Sequence, residues 1–267
     1  MSRAMIFGGL LALVTSAASA ADILPPAPSL DSSDLRGRFE LETVAYVRAD
    51  ASLGWLRARK AASTFASPVS DFRMDSTRFS RAPVTGLGVG YQLNGFVRAD
   101  LTVEQRGLAR YKASGSYMDV PTCGAARCAD AYAGAIRSTL VLANVYGEIG
   151  SWFDVTPFVG VGLGFARNAF DSMSLPAGNG HSLGLSASAT QTRFAYALMA
   201  GLAYEVTPQI KVETSYRYLN MGAAQSGVIS CASAAGACVG QTQRIGLAAH
   251  DLRIGLRYAL SSGSARD

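Results

Sequence analysis

From residue 44 onward, apolar and polar side chains alternate with period two, the spacing of a strand whose two faces meet different surroundings. Roughly 44–57 sets Val47, Ala49, Ala51, Leu53 and Trp55 against Arg48, Asp50 and Ser52. Roughly 83–92 sets Leu87, Val89 and Tyr91 against Gly86, Gly88 and Gly90. The clearest stretch, roughly 96–110, opposes Val97, Ala99, Leu101 and Val103 to Arg98, Asp100, Thr102, Glu104 and Arg106. Five more follow at roughly 136–149, 156–168, 192–205, 209–219 and 249–260. In the last, Leu252, Ile254, Leu256 and Tyr258 oppose Asp251, Arg253, Gly255 and Arg257.

Several of these eight segments reach the roughly 9–11 residues that a tilted membrane strand requires. Three connections are short, around Asn94, Trp152 and Pro208, and Asn94-Gly95 carries the signal of a hairpin with φ > 0. Four are long, 58–82, 111–135, 169–191 and 220–248. In a meander the long connections share one end and the short turns the other, the asymmetry of outer-membrane barrels. The pattern therefore predicts an all-β fold, a transmembrane eight-stranded antiparallel up-and-down β-barrel over 44–260.

Composition supports a wall that faces lipid. Hydrophobic residues make up 49% of the 267 and charged residues only 16%, against about 25% charged in ordinary domains. No later stretch offers the eighteen continuous apolar residues of a spanning helix. Residues 1–20 read as a signal peptide, with Arg3, an apolar run from Met5 to Val14, and Ala18-Ser19-Ala20 as the cleavage site. A signal peptide implies export, and the barrel pattern behind it implies the cell outer membrane. Residues 21–43 read as a flexible N-terminal segment and 261–267 as a C-terminal tail.

One face of the strands is charged with both signs: Arg48, Asp50, Arg98, Asp100, Glu104, Arg106, Glu148, Glu205, Lys211, Glu213, Arg217, Asp251, Arg253 and Arg257. Enclosed charges need partners, because an unpaired buried charge costs several kcal/mol. An eight-stranded ring is about wide enough for side chains alone, so these residues are expected to fill the lumen as a salt-bridge network. The alternative is a narrow general-diffusion pore. The Gly-x-Gly-x-Gly runs at 86–90 and 160–164 leave room for long side chains, and neither opens a helix as a nucleotide loop would. Aromatic residues near strand ends, Trp55, Tyr91, Tyr111, Phe158, Phe194, Tyr204, Tyr216, Tyr218 and Tyr258, suggest membrane-interface girdles.

The remaining chemistry is sparse. Cys123/Cys128 and Cys231/Cys238 read as two local disulfides in external loops of an exported protein. His181 and His250 lie near neither pair, and no acid, base and nucleophile set stands out. The expectation is no enzyme, no catalytic or metal-binding residues and no cofactor. The net charge of +5 suits anionic lipid or polysaccharide and is too weak to argue nucleic acid. Arg57, Arg59, Lys60, Arg73, Arg78 and Arg81 against Asp71 and Asp75 make the first long connection net positive, which reads first as a solvated loop and second as a rim that contacts lipopolysaccharide.

Five segments resemble the alphaproteobacterial porin-family surface antigens, which are similar to the OmpA transmembrane domain. They are Ala45-Tyr46-Val47-Arg48-Ala49-Asp50-Ala51-Ser52-Leu53-Gly54-Trp55, Leu142-Ala143-Asn144-Val145-Tyr146, Thr156-Pro157-Phe158-Val159-Gly160-Val161-Gly162-Leu163-Gly164, Tyr216-Arg217-Tyr218-Leu219-Asn220-Met221-Gly222 and His250-Asp251-Leu252-Arg253-Ile254-Gly255-Leu256-Arg257-Tyr258. The resemblance implies an outer-membrane barrel acting in envelope integrity, surface recognition or limited diffusion. Its implied partners are outer-membrane lipid, the outer-membrane assembly machinery and a surface ligand of unknown identity. The chain departs from the family where Ser261 to Asp267 follow Tyr258-Ala259-Leu260, since typical members end on an aromatic residue that the assembly machinery reads.

Overall fold

The computed structural model describes residues 44–65, 70–118, 124–175, 184–231 and 241–260. All lie in one of the chain's two compact units, Glu40–Asp267. The expected signal peptide, N-terminal segment and C-terminal tail fall outside the described residues.

The described residues form twelve strands: β1 Val44–Phe65, β2 Ser70–Phe79, β3 Arg81–Gln92, β4 Val97–Met118, β5 Arg127–Glu148, β6 Val155–Phe170, β7 Ser174–Leu175, β8 Gly184–Ser186, β9 Ala189–Thr207, β10 Ile210–Gln225, β11 Ile229–Cys231 and β12 Gln241–Ala259. All pair antiparallel. β1 pairs with β3, β3 with β4, β4 with β5, β5 with β6, β6 with β9, β9 with β10 and β10 with β12. β12 then returns to β1, from Tyr46 opposite Ala259 to Phe65 opposite Gln241. β2 lies beside the far end of β4, and β7, β8 and β11 form a short ladder between β5 and β12.

The four connections expected to be long loops are largely strand where their residues are described. β1, β4 and β5 each run 22 residues, about twice what crossing a membrane needs. The physical reason for the miss lies in the backbone. Register shifts fall between Ala58 and Ala61 on β1, between Arg106 and Ala109 on β4, and between Asn220 and Ala223 on β10. An extra residue inverts the parity of everything after it, so a reading with fixed period two stops at each bulge.

The short turns also differ from expectation. Asn94-Gly95 was the expected site of positive φ, yet neither residue has it. Asn94 instead accepts hydrogen bonds at Oδ1 from the amides of Phe96 (2.9 Å) and Val97 (2.8 Å), an Asx-type turn. The two-residue hairpin with both central φ values positive is at Phe153 (49°) and Asp154 (65°), closed by Trp152 and Val155. Sequence statistics favour Asn-Gly for that conformation and do not point to Phe-Asp.

Candidate functional site

The interior of the ring is the candidate site, and it has two storeys. The storey nearer the short turns is ionic. Arg217 forks Glu104 with two bonds of 2.7 Å and donates to Asp251 from Nη2 (2.8 Å) and Nε (3.1 Å). Arg106 donates to both oxygens of Asp251, and Arg253 bridges Glu104 (3.2 Å) and Asp50 (3.0 Å). From Asp50 the chain continues through Arg48 to Asp100 (2.8 Å) and Glu213 (3.4 Å). Arg98 then joins Glu213 and Glu148, and Arg257 closes on the same two carboxylates.

Arg48, Arg98, Arg106, Arg217, Arg253 and Arg257 thus meet Asp50, Asp100, Glu104, Glu148, Glu213 and Asp251, one guanidinium for each carboxylate, all buried. Forked guanidinium–carboxylate pairs are the strong and directional kind. The glycine faces of β3 and β6 make the room. A Cβ on Gly86 would stand 2.9 Å from Glu104 Cγ, and one on Gly88 3.0 Å from Arg48 Cγ.

Sequence reading missed the uncharged members, Gln92 between Glu148 and Arg257 among them. Tyr46 donates to Asp100 (3.1 Å), Asn144 to Asp100 (2.7 Å), and Tyr146 accepts from Arg48 (3.0 Å) while its ring lies 3.8 Å from the Arg98 guanidinium. Their signal was parity: Tyr46 shares the face of Arg48, and Asn144 and Tyr146 share the face of Glu148.

The second storey, toward the long connections, is mainly apolar, with buried Ser138, Asn168 and Gln243 set into it. Leu56, Ala109, Ile136, Leu140, Phe170, Met173, Leu219, Met221, Ile245 and Leu247 pack as one buried cluster. Tyr111, expected in an interface girdle, is inside it. It meets Phe170 edge-on and donates to Gln243 (3.1 Å), because the β4 bulge turns its side chain inward. Phe158 also points inward, but in the ionic storey, edge-on to Tyr146 and with the Arg98 guanidinium 5.0 Å from its ring.

The outer face mirrors this division. Around the ionic storey it is apolar: Leu87, Val89, Leu101, Val103, Val141, Val161, Leu163, Leu198, Leu252 and Ile254 are exposed, a patch far larger than a water-soluble monomer leaves bare. Around the apolar storey the outward positions carry Arg57, Arg110, Lys112, Arg137 and Arg244, all exposed. A row of rings marks the change. Arg81 sits over Trp55 (5.4 Å), Trp55 is opposite His250, and His250 contacts Tyr216 and Tyr218.

Residues 9–259 match the family model for the outer membrane protein β-barrel domain. The chain belongs to that family. Membership locates it in the outer membrane and makes the closed antiparallel ring an outer-membrane β-barrel. An uncharacterized protein of Brucella abortus is 26% identical, over 96% of each chain. The outer membrane protein PagN of Salmonella typhimurium is 32% identical over 33% of this chain and 36% of its own. The outer membrane protein OprG from Pseudomonas aeruginosa shares the fold at a TM-score of 0.50 and 12% identity, covering 81% of this chain and 97% of that one.

Within this barrel, some expected site residues stand apart. Lys211 is not in the ionic storey. It pairs with Glu205 (2.9 Å), both partly exposed, where β9 turns into β10. The turn leaves no wall above them, so water reaches both. Cys128 is buried and disulfide-bonded, while the proposed pairings involve Cys123, Cys238 and the side chain of Cys231, which lie outside the described residues. His181 lies outside them too. His250 Nδ1 shares a 2.5 Å hydrogen bond with the Tyr216 hydroxyl on the outer face. Among the described residues no group of His, Cys, Asp or Glu gathers to hold a metal ion.

Proposed function

We propose that the chain is a closed outer-membrane barrel with a structural or surface-interaction role, built as an eight-stranded up-and-down wall from β1, β3, β4, β5, β6, β9, β10 and β12. The observation that carries this reading is the stacked filling of the interior: paired charges at the level of the apolar band, then a packed apolar cluster. A ring of this size holds side chains and little else. The long-connection end faces outward, as in barrels of this kind, and its exposed cations contact lipopolysaccharide. The OmpA-like surface-antigen resemblance points the same way, with specificity in the loops that a rigid scaffold holds. A cleaved signal peptide ending at Ala20, recognition by the outer-membrane assembly machinery, and the absence of catalysis and cofactor belong to the same reading.

Planar-bilayer conductance tests it. The purified monomer is expected to give at most brief, tiny openings, and neutralising Glu104 or Arg253 to enlarge them by removing a partner from the network. Stable, large channels from the unmodified protein would instead favour a general pore.

A further inference from the structure

On the outer wall, above the aromatic row, lies a pocket of about 510 Å³ between the bulges of β1 and β10. Its lining includes Arg59, Lys60 and Arg244 together with Asn220, Gly222 and Gly246. Arg59 and Lys60 occupy the β1 bulge and have no register partner on β12. A bulge leaves its extra residue out of the ladder, so backbone there is free to bond elsewhere. Gly222, at φ +70°, sits in the matching bulge of β10. Both distortions flank β12 at the same height, where Ala62 is opposite Arg244 and Ala223 opposite Gly246.

The charge is uncompensated. Among the described residues none of the three cations forms an ion pair, whereas the exposed Arg137, across the ring on β5, pairs with Asp171 (2.9 Å). Gly246 keeps the floor open. A Cβ there would meet nothing nearer than Lys60 N at 3.5 Å. Arg59 is four residues beyond Trp55, or about 13 Å along the strand, just past the edge of the lipid-facing band.

We propose that this pocket is a binding site for a phosphate group. The occupant favoured by its place on the wall is the phosphorylated headgroup of a lipid in the surrounding leaflet. Two arginines offer planar forks that match phosphate oxygens, and Lys60 adds a compact charge. Its lipid source rests on the membrane placement proposed above. The anion site itself does not, and a conducting barrel would still contain it.

The test titrates the purified, folded protein in nonionic detergent with diphosphorylated lipid A, dephosphorylated lipid A and inorganic phosphate, read by calorimetry. Gel mobility with and without heating verifies that each variant is folded. The wild type is expected to prefer the phosphorylated lipid by about tenfold or more, the worth of one charge-assisted hydrogen bond. Arg59→Gln with Arg244→Gln should abolish the preference. Gly246→Leu should weaken it similarly while leaving every charge in place, and Arg110→Gln, elsewhere on the outer face, should leave it unchanged. Competition by inorganic phosphate supports the site and assigns a soluble source. Lipid binding without such competition supports the headgroup. A folded Gly246→Leu variant that binds as the wild type does, or an Arg59/Arg244 variant that loses no more than Arg110→Gln, overturns the proposal.

Discussion

The two storeys of the interior are made by the same strands, yet their chemistry inverts within two residues. On β10 the inward side chain passes from Arg217 to Leu219, and on β12 from Asp251 to Ala249 and Leu247, all fully buried. Outside, the order is the reverse, from Leu252 and Ile254 to exposed Arg244. What surrounds the wall explains both. Where lipid touches the outside, apolar side chains are already satisfied there, and the inside can be polar if every charge is paired. Where water touches the outside, apolar burial drives assembly again, and the inside must hold the apolar residues. The ionic storey is therefore specified by exact partners and the apolar one by volume.

That difference is open to attack. The largest effect is expected from Arg217→Met. It removes the forked contact to Glu104 and both bonds to Asp251, leaving buried carboxylates under-compensated, at a cost of about 3–5 kcal/mol. Urea unfolding of the barrel in lipid vesicles measures it. A loss under about 1 kcal/mol, typical of solvated pairs, would mean that water fills this storey and the contrast fails. Next is Ile136→Ala in the apolar storey, fully buried, where a cavity should cost about 2–4 kcal/mol. Its outward neighbour Arg137→Ala should change stability by no more than about 0.5 kcal/mol. Equal losses at 136 and 137 would deny the apolar storey a packed core.

The lipid-level half of this design was legible in the sequence because there the alternation is strong: β-branched and leucine residues against Arg, Asp and Glu, as in Val97 to Arg106. The ionic residues were legible for the same reason, apart from Lys211, which shares their parity but sits at the very start of β10, where water reaches it. The far half was hidden. Its inward positions are often small or weakly apolar, as at Ala58, Ala61, Ala109 and Ala113, and the bulges at 58–61, 106–109 and 220–223 reverse the face each residue takes. Tyr111 shows the cost: counted from Arg98 with period two it faces lipid, and one extra residue puts it in the core. The pairing map of the ionic storey was not legible, because partners such as Arg106 and Asp251 lie 145 residues apart.

A smaller effect is expected where the apolar storey carries a polar bond. Tyr111→Phe keeps the ring against Phe170 and removes only the donation to Gln243 Oε1, for about 1 kcal/mol. The same unfolding assay checks it against Tyr111→Ala, which also loses the ring and should cost about 3–5 kcal/mol. If the two substitutions cost the same, the hydroxyl and not the packing holds this residue.

The smallest effect belongs to the rim. Asp71, exposed on β2 with a left-handed φ of 53°, accepts from Arg127 (2.6 Å) and from Arg73 (3.2 Å). Hydrogen bonds from Arg127, then from Arg73, hold its carboxyl below the usual value. A carboxylate whose folded value lies below its unfolded value of about 3.9 stabilises the fold above that pH, and the contribution is lost as pH falls through the folded value. Between pH 8 and 5 the β2–β5 contact should therefore not change, and acidification below about 4 should loosen it. Exposure and salt keep the effect local, so global unfolding is not the measurement. Carbon-detected NMR titration of the Asp71 carboxyl reads it directly. The midpoint should lie below that of an unpaired aspartate and rise toward it in Arg127→Gln, with the ionic storey's resonances unmoved. A midpoint at the ordinary value in the unmodified protein would show that the rim pair does not hold in solution, leaving charge pairing as a property of the enclosed storey alone.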